Sequence, residues 1–97
     1  MIKVEISDKK IRVLGHAGYD DYGRDIVCAS VSSIVITSVN AILSFDNEAI
    51  NYEEKKDELI INILKTDKVT KKLLDNMIDL LKELSNQYEE NIKVIGG

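Results

Sequence analysis

The chain has one histidine and one cysteine, His16 and Cys28, twelve positions apart on either side of a polar, glycine-containing segment. A thiol and an imidazole form a nucleophile and a proton carrier. The imidazole can take the thiol proton, or form a thiolate–imidazolium pair, and later return a proton to a leaving amine. Asp25, three residues before Cys28, reads as a helix N-cap. That would put Cys28 in the first turn, where unpaired N–H groups and the positive end of the helix dipole favour a thiolate. The N–H of Cys28 and a neighbouring amide could then hold the oxyanion of a tetrahedral intermediate. The competing reading is structural, because a free cysteine is usually a small buried hydrophobe and a strand-end histidine usually a satisfied hydrogen-bonding group. Asp25 has orientation of His16 as a second role open to it. Ser32, one turn beyond Cys28, can hydrogen-bond in a site or back to its own preceding turn.

Ala17 to Arg24 is polar, has two glycines and no period, and reads as a mobile loop. Within it Gly18, Tyr19, Asp20, Asp21, Tyr22 and Gly23 offer aromatic surface and negative charge. Such a loop suits reading a substrate, and equally suits a solvated turn with half-packed tyrosines. Gly15, Gly18 and Gly23 do not have the spacing of a phosphate-binding loop.

The elements that must position these residues follow from periodicity. Ile2, Val4 and Ile6 alternate with Lys3 and Glu5, predicting a strand over Ile2 to Ile6; a turn at 7–10 and a second strand from Ile11 to about His16 complete a hairpin. From Asp25 to Asp46, Ser30, Ser33, Thr37, Asn40 and Ser44 form one polar stripe, with Val27, Val31, Ile34, Val35, Ile42 and Phe45 on the opposite arc, predicting a helix. Strands are expected from Ala49 to about Lys55 and from Glu58 to Leu64, the acid and lysine run of 53–58 being an exposed hairpin edge. Thr66 or Asp67 can cap a second helix to about Tyr88, whose apolar face would be Val69, Leu73, Met77, Leu80, Leu81, Leu84 and Tyr88. Ile92 to Ile95 reads as a short last strand. The pattern predicts a single α+β domain over 1–97, a mostly antiparallel or mixed sheet packed with two helices.

At 97 residues and 10.9 kDa there is room for one core. The net charge of -4 argues against tracking phosphate backbones, so no direct nucleic-acid contact is expected and a basic partner suits the chain better. One cysteine forms no intramolecular disulfide, and no Cys/His cluster is present to bind zinc, so neither metal nor cofactor is expected. Ile26 to Phe45 is uncharged and long enough to cross a bilayer, but seven Ser, Thr and Asn residues break it up and Asp25 and Asp46 flank it. It reads as a soluble helix buried on most of its circumference, with some of Ile34, Ile36, Val39, Leu43 and Phe45 meeting a second copy. The alternating N-terminus is not a signal peptide, and a cytoplasmic location without membrane attachment is expected.

The stretch Gly15-His16-Ala17-Gly18-Tyr19, then Gly23-Arg24-Asp25-Ile26-Val27-Cys28-Ala29 and Ser32, resembles the signature of the ribosomal-processing cysteine proteases called Prp. Length, layout and element order agree over essentially the whole chain. The resemblance implies a homodimeric bacterial cysteine endopeptidase that removes an N-terminal extension from large-subunit ribosomal protein number twenty-seven, cutting after two phenylalanines and before a basic sequence. It implies Cys28 as nucleophile and His16 as general base, with Asp25 and Ser32 at supporting positions whose roles stay open. The substrate would lie extended under the Ala17 to Arg24 loop, its aromatic residues near Tyr19 or Tyr22 and its basic side facing Asp20 and Asp21. The alternative is a non-catalytic ribosome-associated protein gripping a basic ribosomal tail through the same loop; a third reading is a redox sensor acting through Cys28.

Overall fold

The computed structural model describes residues 1–15 and 22–96, with backbone only for 22–25. The elements are β1 (Ile2–Ile6), β2 (Lys10–Leu14), α1 (Tyr22–Phe45), β3 (Ile50–Lys55), β4 (Glu58–Ile63), α2 (Lys68–Gln87) and β5 (Ile92–Gly96). This is the expected strand and helix order.

The strands form one sheet in the order β3-β4-β2-β1-β5. β1 pairs with β5 in parallel, Val4 opposite Val94, and every other pairing is antiparallel, so the sheet is mixed. Alternation decides which face is covered. Across the strands the row Val4, Val13, Leu59, Glu54 shares one face with the row Ile6, Ile11, Ile61, Tyr52. Ile2, Val4, Ile11, Val13, Leu59 and Ile61 on that face are buried in a single core with residues of both helices. α1 and α2 pack on each other, α1 reaching β3 and α2 reaching β5. On the open face, Arg12 donates to Glu58 Oε2 from Nε at 2.5 Å and to Glu5 Oε1 from Nη1 at 3.3 Å. Its cross-strand partner Ile60 keeps only 6% of its surface exposed.

α1 buries Val27, Val31, Val35, Val39 and Ile42. Ser33, Thr37, Asn40 and Ser44 of the expected polar stripe are exposed and Ser30 is half-buried. Ser30 and Ser38 hydroxyls donate to the carbonyls of Ile26 and Ile34, which lets a polar side chain sit within an apolar helix. Two expectations need correction. Phe45 is 55% exposed at the end of the helix, and the helix is buried along one arc, not most of its circumference, because a single sheet face and α2 cover it. Ile26–Phe45 is long and apolar enough to cross a membrane by composition, yet its apolar arc is spent on the core.

α2 starts at the expected cap. Asp67 accepts the Thr70 N–H at 3.0 Å and the Thr70 hydroxyl at 2.9 Å, satisfying an orphan amide at the helix head. Those bonds hold the Asp67 carboxyl below its ordinary range, the backbone N–H of Thr70 being the chief cause. The buried face is Thr70, Leu74, Met77 and Leu81, with Leu73 and Leu84 half-buried. The expected face included Val69, Leu80 and Tyr88, which are exposed. Leu73–Leu74 and Leu80–Leu81 are adjacent apolar pairs, so two overlapping stripes exist and packing selects the one led by Thr70, whose hydroxyl the cap satisfies.

Candidate active site

Cys28 carries a half-buried thiol that is not in a disulfide and is packed against the core. Because α1 begins at Tyr22, Cys28 is its seventh residue and lies in the second turn. This corrects two expectations. Asp25 is inside the helix and does not cap it, since the helical backbone continues one turn further towards the N-terminus. The N–H of Cys28 is past the four unpaired amides of the helix head, and the dipole's effect, confined to the first turn, is weak there.

Helix geometry fixes the flank on which Cys28 stands. α1 meets α2 at a shallow cleft lined by Ala29, Ser30, Ser33, Ile34 and Leu84. At 3.6 residues per turn Cys28 is about 160° around the helix from Ser30, and Ser32 about 160° from Ile34. Both therefore lie away from the α2 cleft, Cys28 on the core-facing arc between the directions of Val35 and Val39 and Ser32 at the edge of that arc. Ser32 is half-buried there, one turn after the thiol.

The chain enters the segment before the helix through Gly15. Its φ is +76°, and its N–H donates to the Asp57 carbonyl at 3.1 Å. A Cβ at Gly15 would stand 2.7 Å from the Met1 carbonyl oxygen, so only glycine fits this root. His16, Gly18, Tyr19, Asp20 and Asp21 lie outside the described residues, as do the side chains of Tyr22 and Asp25. The backbone of Tyr22 and Gly23 is helical where a loop was expected. The structure thus brings Cys28 and Ser32 to one flank.

Glu54, within the 53–58 run expected to be an exposed hairpin edge, has Tyr52 as its neighbour on the same face of β3. Tyr52 and Glu54 stand on the helix-bearing face of β3, the edge strand beside α1, and the Tyr52 hydroxyl donates to Glu54 Oε1 at 3.0 Å. Burial first, and Glu54 second, push the Tyr52 phenol up to about 12. A cavity of about 370 Å³ lies at the opposite end of the molecule, lined by Ile6, Asp8, Ile63, Lys71 and Leu74, and does not adjoin the thiol.

The family description "Cysteine protease Prp" matches residues 1–93. The chain belongs to the Prp family of cysteine proteases. It is 36% identical over 83 residues to the ribosomal processing cysteine protease Prp of Staphylococcus aureus strain Mu50, covering 82% of this chain and 78% of that one. The crystal structure of the S. aureus protease in complex with a substrate peptide superposes with a TM-score of 0.85 at 26% identity, covering 97% of this chain and 95% of that chain. A second S. aureus structure, with a covalently linked product peptide, gives 0.83 at 28% identity and 97% coverage of both chains. The mixed five-stranded sheet with two helices is thus the Prp fold, and the chain is a cysteine protease of the ribosomal-processing family.

Proposed function

We propose that the chain is an endopeptidase that removes the N-terminal extension of large-subunit ribosomal protein twenty-seven, with Cys28 as nucleophile and His16 as general base. One observation carries the assignment of the nucleophile: the chain belongs to a family of cysteine proteases and Cys28 is its only cysteine. The half-buried position of Cys28, neither sealed in the core nor fully exposed, supports it. In this reading His16 takes the thiol proton, the thiolate sulfur attacks the scissile carbonyl carbon, and the C–N bond breaks as His16 returns the proton to the departing amine. Water then hydrolyses the thioester and restores the thiol. Ser32 and Asp25 are supporting residues, and Gly18, Tyr19, Asp20, Asp21, Tyr22 and Gly23 form the substrate-facing segment. A cytoplasmic homodimer, with the exposed Ile26 and Ile36 of α1 at the contact, completes the proposal.

The test is a Cys28→Ala variant given the precursor peptide with its paired phenylalanines. It should fold, bind and turn nothing over, and Cys28→Ser should be nearly inactive because an alcohol is harder to deprotonate. An alanine variant that cleaves at the parent rate ends this reading.

A further inference from the structure

We propose that Glu54, held in place by Tyr52, is a specificity residue that reads a basic side chain of the bound peptide; this rests on the peptidase reading above. Three independent features converge on that position. First, the cross-strand row Val4, Val13, Leu59, Glu54 places Glu54 on the face that the helices cover, and β3 is an edge strand, so its outer side is unoccupied by another strand. A peptide approaching from that side meets β3 before any other strand. Second, α1 contacts β3, and Ser32, one turn after Cys28, stands on the side of α1 away from the α2 cleft. Lys55, next to Glu54, pairs with Glu58, which pairs with Leu14 at the end of β2, so Glu54 sits at the end of the sheet where the chain leaves for His16.

Third, the carboxylate is prepared for a cation. Oε1 accepts the Tyr52 hydroxyl, and Glu54 has no ion pair among the described residues, whereas Glu5, Asp46 and Glu58 each have one. Tyr52 is anchored against the core, so the bond fixes the rotamer of an exposed side chain and leaves Oε2 for a ligand. With its phenol pushed up to about 12, Tyr52 stays a donor to Glu54 throughout the physiological range. The ligand chemistry that fits a fixed, uncompensated carboxylate on a strand edge is a lysine or arginine of an extended peptide. Tyr52 acts through Glu54 and is a positioning residue.

The experiment uses the Cys28→Ala protein, so that binding is read without cleavage, and two forms of the precursor peptide, one native and one with its Lys and Arg residues changed to Gln. The native form should bind more tightly by roughly fivefold, the scale of one partly exposed charge pair. Adding Glu54→Gln should remove that preference while leaving affinity for the neutral form unchanged, and Tyr52→Phe should remove part of it. In the active enzyme Glu54→Gln should raise KM for the native peptide and keep kcat. A preference that survives Glu54→Gln, an equal loss on both peptides, or a preference abolished only by Asp20→Asn with Asp21→Asn overturns the proposal. Cleavage by Cys28→Ala would sink the peptidase mechanism instead, and the binding comparison would still stand.

Discussion

The amide of Gly15 donates to the carbonyl of Asp57, tying the residue before His16 to the turn between β3 and β4. The left-handed backbone at Gly15 and the close Met1 carbonyl leave no room for a side chain. Gly15→Ala should therefore cost about 1–3 kcal/mol of stability, the scale of forced strain at such a site. It should also lower kcat/KM per folded molecule, because any relief moves the chain where it enters His16. Gly96→Ala is the control: Gly96 also has positive φ and faces the Ile6 backbone at the far end of the sheet, so it should lose stability and keep activity. Thermal melts with peptide turnover check both, and a Gly15→Ala enzyme of parental turnover would show that this root does not position the site.

Acid should loosen the molecule through named carboxylates. Asp67 is lowered by the Thr70 amide, Asp46 by Lys65 and Glu58 by Arg12. Each group is more acidic folded than unfolded, so its contribution is fully present above the unfolded value near pH 4 and is lost as pH falls through the lower folded value. Asp67→Asn should melt lower at neutral pH and show a shallower decline between about pH 4 and pH 2. A variant whose acid limb overlays the parent's would mean that the cap contributes nothing to it.

The strands were legible because their alternation has only two phases. Ile2 and Val4, or Ile11 and Val13, can point only to one face or the other, and Ser7 to Lys10 left no third choice. The helices were less so. α1 has β-branched residues on most sides, so its period shows the polar stripe but not that Ile26 and Ile36 stay outside. Asp25 has the residue type of a cap, yet type cannot exclude a helix that begins at Tyr22. At the site, the residue types of His16 and Cys28 were visible at once, whereas Tyr52 and Glu54 gain meaning only from β3 being an edge strand beside α1. Strand order is a non-local property that no window of sequence contains.

The choice between the two stripes of α2 can be measured. Met77 is fully buried and Leu80 is 39% exposed, although both belonged to the face expected from sequence. Met77→Ala should cost about 2–5 kcal/mol through lost burial and the cavity left behind. Leu80→Ala should stay within about 0.5 kcal/mol, as for a surface change. Comparable losses in denaturant titrations would mean that α2 is rotated from its described orientation.

The outer face of α1 bears on assembly. Ile26, Ile36 and Phe45 are exposed on an otherwise small and polar surface, and a second copy meeting the Ile26 and Ile36 face would remove them from water. Ile36→Lys should shift the protein to monomer in sedimentation at micromolar concentration without lowering its melting point at high dilution. A parent protein that sediments only as monomer would rule the contact out.

The last prediction concerns what activates the thiol. Cys28 in the second turn of α1 gains little from the helix dipole, and its own amide lies past the helix's unpaired head. If His16 supplies the activation, His16→Ala should lower turnover by roughly 10²-fold or more, the scale of a lost general base. The melting point should hardly move. The pH profile separates this from a structural loss. The parent's rate should follow an imidazole titration, whereas the residual rate of His16→Ala should keep rising into the alkaline range as the unaided thiol ionises. A His16→Ala enzyme that keeps the parent's pH profile at reduced amplitude would assign the base to another residue.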